Sequence, residues 1–186
     1  MVRIRIAFFC LGFSGLAALV SCSDGAAGHV ATQGAPFFQL DSFFRKETDR
    51  LTALAPTVTK TVARNGEQET KRVVISDWKS ELALFAESDI NKPAWRASYQ
   101  ADSATDGSIV YTSTDPTLRT QEIRIEKHAD GKKIKHIAIT NRNRNMLYQS
   151  EEQLDYFPDS LYEITKFQSV RFLGDSRYRI QAAFAN

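Results

Sequence analysis

The chain is nearly free of cysteine. Only Cys10 and Cys22 occur among 186 residues. From Ser23 onward there is therefore no disulfide, no thiolate metal ligand and no cysteine nucleophile. Stability must come from packing, and the roughly 150 residues of the body suffice for one ordinary core. Histidine is scarce as well, at three residues. His29 sits among small polar residues, where a lone imidazole has no partner. HExxH, Walker A, dinucleotide and Ca²⁺ loops and a Ser-His-Asp order are all missing, so nothing nominates a cofactor or a metal. Neighbouring acids such as Glu151-Glu152 alternate across a strand and cannot face one another.

Charge of one sign is also lacking, since the formal net charge is only +2. Both surplus cations lie in the start, Met1-Val2-Arg3-Ile4-Arg5, which has no acid. An uncharged run, Ile6 to Val20, follows. Its length fits the apolar region of a signal peptide, about 7–15 residues, better than the about 20 of a membrane-spanning helix. Gly12, Ser14 and Gly15 within it point the same way. The run ends in Leu19-Val20-Ser21-Cys22: a branched apolar residue, a tolerated one, a small one, then Cys.

This tetrad resembles the lipobox of bacterial lipoproteins. The resemblance implies a diacylglycerol in thioether linkage on Cys22, cleavage just before it, and a fatty acid such as palmitate on the new N-terminus. Loss of Arg3 and Arg5 takes the formal charge to zero, so the basic pI of the whole chain, about 8.5, is no sign of nucleic-acid binding. In that family the residue after the Cys influences sorting. Ser23, with Asp24 one place later, points to the outer membrane, on its periplasmic or surface face. Residues 1–21 are then a signal peptide. Residues 22–35, small, polar and Gly/Ala-rich, are the lipidated Cys and a flexible tether, and 36–186 form one domain.

Pro36 opens the first element. Leu40, Phe43, Phe44, Leu51 and Leu54 recur at helical spacing up to Pro56. The mixed charges of the other side favour a helix that covers a sheet over one that lies on a membrane. Thr57 to Arg64 and Glu67 to Ile75 flank Asn65-Gly66, a two-residue hairpin signal that pairs Arg64 with Glu67 and Val58 with Val73. The open end of this hairpin is buried and its tip projects. Ser76 caps a second helix with the stripe Trp78, Leu82 and Phe85.

From Trp95 the period is two. Strands are expected over 95–101, 109–114, 119–128, 132–140, 145–157, 161–173 and 177–184, with 141–144 as a turn. Ile123 and Ile125 share a face with Ile137 and Ile139 only across an odd loop, Ala129-Asp130-Gly131, which sets Arg124 opposite His136. An odd loop, Gly174-Asp175-Ser176, likewise aligns Ile164, Val170 and Phe172 with Tyr178, Ile180, Ala182 and Phe184. The fold class is α+β: helix, hairpin, helix, then a curled antiparallel meander of about seven strands with helices covering one face. Phe43, Phe44 and Leu51 are expected against Ile164, Val170, Tyr178 and Ile180. This order of elements resembles the half-barrels of outer-membrane lipoprotein carriers and receptors, and the whole resembles small uncharacterised envelope lipoproteins.

His128 and His136 share a polar face with Glu122, Arg124 and Glu126, but the cations there repel a metal, which favours a solvated face. Arg124, Lys132, Lys133, Lys135, Arg142 and Arg144 form a basic middle suited to anionic headgroups. The expected protein is a lipid-anchored, non-enzymatic binding or scaffolding domain. Its partners are the membrane, through Cys22, and an apolar ligand or an envelope protein. A carrier of an apolar ligand and a hydrolase are the alternatives.

Overall fold

The computed structural model describes residues 37–185. The expected signal peptide, Cys22, His29 and Pro36 lie outside the described residues.

Helix α1 runs Leu40–Leu54 and buries Leu40, Phe44, Thr48 and Leu51, one stripe of a 3.6-residue period. Leu54 is exposed. The helix stops at Ala55, which turns left-handed at φ 46° and donates its N–H to the Leu51 carbonyl. Pro56 forbids continuation. Strands β1 (Thr57–Arg64) and β2 (Glu67–Val74) follow in the expected register, Arg64 opposite Glu67 and Val58 opposite Val73. Asn65 and Gly66 both take positive φ, 51° and 96°, as a two-residue hairpin turn demands.

The second helix is two four-residue pieces, α2 (Trp78–Glu81) and α3 (Ala83–Ala86), broken at Leu82. Its cap is Asp77, one place after the expected Ser76; Asp77 accepts the Ser80 N–H. Trp78, Leu82 and Phe85 are all buried. Pro93–Ser98 is a 3-10 segment, so Trp95 is not a strand residue as expected, and its ring instead lies beneath the Lys92 ammonium at 4.0 Å. The remaining strands are β3 (Tyr99–Ser103), β4 (Ile109–Ser113), β5 (Thr120–Lys127), β6 (Ile134–Arg144), β7 (Tyr148–Phe157), β8 (Leu161–Val170) and β9 (Gly174–Phe184).

All strands join one antiparallel sheet of nine, in the order β2-β1-β9-β8-β7-β6-β5-β4-β3. The expected separate hairpin is part of it. β1 pairs along its whole free edge with β9, from Val58 opposite Phe184 to Arg64 opposite Tyr178. That pairing removes two open edges at once, which isolated propensity cannot reveal. β2 is the sheet's exposed edge, and the exposed tip Asn65-Gly66 is tied to β9 through Asn65 and Arg177.

Three expected registers move. Ile123 and Ile125 do face Ile139 and Ile137, but Arg124 lies opposite Ala138, and His136 opposite Glu126. The turn is longer than three residues: Gly131 N–H bonds the His128 carbonyl, and His128 N–H bonds that of Lys133. Asp130 accepts the Lys132 N–H inside it. Residues 141–144 continue β6 instead of turning. The β8–β9 turn is Arg171–Leu173, not 174–176, so Ile164 pairs with Ile180 and Phe172 stands at the tip.

The helix-covered face reads in rows across the strands. Ile139, Leu154, Ile164 and Ile180 form one; Ile137, Tyr156, Tyr162 and Ala182 form the next. Phe44 packs on Phe85, Phe43 and Tyr156, with ring centroids 5.0–5.1 Å apart. The row beneath α1 thus centres on Tyr156, not on Ile164, Val170, Tyr178 and Ile180. Tyr156 meets Phe43, Phe44 and Phe85 edge-on, which makes it the centre of this contact. Two helix carboxylates bind the tyrosine hydroxyls: Glu47 takes that of Tyr156 at 2.7 Å, and Glu81 that of Tyr162. The described residues close into one compact unit, with one nine-stranded sheet over one hydrophobic core.

Candidate functional site at the turn end of the sheet

The helices cover the half of the sheet near the β7–β8 turn. Towards the other end the covered face opens, and polar side chains replace the apolar rows. Arg64, Tyr178, Lys166, Glu152, Asn141 and Thr120 stand in one line across six strands. Glu152 is buried and held by Arg119 and Lys166, each at 2.9 Å. Burial works to raise its pKa; the two cationic hydrogen bonds outweigh that and leave it below the usual carboxylate range. Such a carboxylate is a poor general base.

Beyond this line four turns gather at one end: Asn65-Gly66, residues 114–119, 145–147 and 171–173. Two of them are neighbours. Arg171 N–H donates to the Leu147 carbonyl at 2.9 Å, and Tyr148 pairs with Val170. In the first turn the Asn145 side-chain oxygen accepts the N–H groups of Leu147 and Tyr148, which turns Met146 and Leu147 outward. In the second, the Val170 carbonyl accepts the Leu173 N–H. Phe172 is the third residue of this β-turn and has φ 73°. Turns of that kind take Gly or Asn there, because a Cβ is strained at positive φ. The β7–β8 turn shows the ordinary solution, Pro158-Asp159, with Asp159 at φ 60°.

The side chains so presented are large and apolar. Phe172 is 89% exposed, Met146 88%, Leu173 86% and Leu147 61%. Scattered exposed apolar residues need no explanation, but four on two bonded turns do. A strained, exposed aromatic adds to that, since such backbone strain collects at functional positions. Arginines flank them: Arg171 lies 5.2 Å from the Phe172 ring, Arg177 5.7 Å from Phe167, and Arg64 5.3 Å from Tyr178.

Next to the turns is a cleft of about 540 Å³, lined by Thr117, Gln121, Arg142, Arg144, Gln149 and Ser150 among others. Ser150 is only 6% exposed, and its hydroxyl has no partner among the described residues. Arg142 has Glu151 at 3.4 Å, and Arg144 has Gln149 at 3.4 Å. Another concavity, about 600 Å³, lies between α1 and residues 76–86 and is lined by Arg45, Asp49, Asp77, Trp78 and Lys79. Phe44, Leu82 and Ala86 line it as well, beneath charges of both signs.

The six residues expected to meet an anionic surface are divided between the ends of the sheet. Arg142 and Arg144 belong to the turn end. Lys132 and Lys133 lie in the β5–β6 turn at the opposite end, and Lys135 contacts Glu126 at 3.4 Å. Arg124 reaches to that end too, where it bonds Ser108 at 3.0 Å and faces Asp106 at 3.9 Å. Nearness in sequence did not become nearness in space, because β6 runs the length of the sheet between them.

His136 stands on the open face of the sheet, stacked on Phe157 at 4.0 Å and bonded to Asp155 at 2.8 Å and Glu126 at 3.4 Å. Burial works to lower its pKa, and the two carboxylates outweigh that and raise it. Among the described residues no cluster of His, Cys, Asp and Glu could hold a metal, and no helix is long and apolar enough to cross a membrane.

No family model, curated protein or solved structure matches the chain.

Proposed function

We propose that this protein is a lipid-anchored lipoprotein of the cell envelope, acting as a non-enzymatic binding domain through the turn end of its sheet. The observation that carries the binding role is the cluster Met146, Leu147, Phe172 and Leu173, exposed on two bonded turns. Leu19-Val20-Ser21-Cys22 supports the anchor, with Ser23 favouring the outer membrane. The carrier reading ranks second, because Phe44, Phe85, Tyr156, Tyr162 and Trp78 fill the covered half of the sheet. The hydrolase reading ranks third, because Glu152 is held by two cations and both core tyrosine hydroxyls are pushed up by burial, then by their carboxylate partners.

Labelled palmitate and a photo-crosslinker test the two parts in a Gram-negative host. The wild type should incorporate the label and Cys22→Ala should not. A crosslinker at position 172 should yield adducts, and one at Glu122 on the open face should not. Label retained by Cys22→Ala would remove the anchor; adducts at 122 alone would remove the binding surface.

A further inference from the structure

We infer that the two apolar turns, Asn145–Leu147 and Arg171–Leu173, dip into the surface of a phospholipid bilayer, with the flanking arginines on its phosphates. The inference deepens the binding-domain reading but does not need the lipid on Cys22. Shape is the first reason. The apolar groups stand on hairpin tips, well exposed, and form a protrusion. A fluid acyl boundary accepts protruding side chains without a matching pocket.

Chemistry is the second. Arg171 over Phe172, Arg177 over Phe167 and Arg64 over Tyr178 each join an apolar body to a cationic head. Such pairs bury the ring and keep the guanidinium at headgroup level. Arg142 and Arg144 add two more cations. The acids at this end are Glu67, Asp115, Glu151 and Asp175. Glu151 faces Arg142, and Asp115 is turned onto Thr117. The excess is cationic, which suits an anionic leaflet.

Reach is the third. Fourteen residues, 23–36, separate Cys22 from the described chain and span at most about 50 Å. An eleven-residue strand such as β6 is about 36 Å long. Anchor and turns can therefore engage one bilayer together, which multiplies weak contacts.

The test uses chain starting at Ser23, without lipid, sedimented with phosphatidylcholine vesicles with and without phosphatidylglycerol. The wild type should bind both, more tightly with the anionic lipid. Raising the salt should weaken only the anionic increment. Met146→Gln with Leu147→Ser, Phe172→Asn and Leu173→Ser should lose about 100-fold in partitioning. Arg144→Gln, Arg171→Gln and Arg177→Gln together should lose about fivefold per arginine on anionic vesicles, and little on neutral ones. All these positions are exposed, so no unfolding midpoint should fall, and a variant with a lowered midpoint is replaced by single substitutions. Absence of wild-type binding at low salt, or unchanged binding by the apolar variant, overturns the inference. So does capture of a protein by the turns while vesicles are ignored. A missing palmitate label at Cys22 would sink the anchor and leave this result standing.

Discussion

The N–H of Arg171 meets the carbonyl of Leu147 at 2.9 Å, and this bond joins two hairpin turns into one surface. It extends the β7–β8 pairing past Tyr148 and Val170 into the turns that carry Met146 and Phe172. With it they form one apolar protrusion edged by arginine.

Phe172 should be held against its own stability. At φ 73° a Cβ costs about 1–2 kcal/mol, and Gly returns part of that as chain entropy in the unfolded state. Phe172→Gly is expected to raise stability by about 0.5–1 kcal/mol in a urea melt while weakening vesicle binding. A drop in stability would mean that the ring packs on the fold.

Phe44 should behave in the opposite way. It is fully buried between Phe85 and Tyr156. Phe44→Ala is expected to cost about 3–5 kcal/mol, with vesicle binding of the folded protein unchanged. An unchanged midpoint would place α1 elsewhere than on the sheet.

His136 gives a pH dependence. Its pKa is raised above 6.5 in the fold, so the native state holds the proton more tightly than the unfolded chain. The stabilisation is full below about 6.5 and is lost as pH rises through the raised value. The urea midpoint should fall over that interval in the wild type and stay flatter in His136→Gln. Parallel curves would show that Asp155 and Glu126 do not hold the imidazolium.

Glu152 gives the reverse. Its folded pKa is depressed, so its stabilisation is present above the ordinary carboxylate value and lost as pH falls through the lowered one. Glu152→Gln leaves Lys166 without its carboxylate and Arg119 with only Glu87, 3.8 Å away. The expected cost at neutral pH is about 1–3 kcal/mol, read by the same melts. A neutral outcome would mean that water serves the two cations equally well.

Much of this architecture could be read before any coordinates. Asn65-Gly66 set the first hairpin to the residue, and the stripe Leu40, Phe44 and Leu51 set the covered face of α1. Parity placed Ile123 and Ile125 with Ile137 and Ile139. Parity cannot count turn residues, however: a shift of two keeps every face and changes every partner, as at His136. Gly174-Asp175 looked like the better turn, which drew Phe172 into an apolar row. The real turn sits three residues earlier, around a residue that turns disfavour. The candidate site was missed for that reason. Exposed Phe and Leu read like core residues until pairing shows where the strand stops. β1 with β9 was hidden because long-range pairing leaves no local signal.

Amide hydrogen exchange on the chain starting at Ser23, with and without anionic vesicles, tests the membrane-facing surface most directly. Protection should appear at residues 145–148 and 170–176 and be absent from the β5–β6 turn that carries Lys132 and Lys133. Protection confined to that opposite turn, or none at either end, would contradict it.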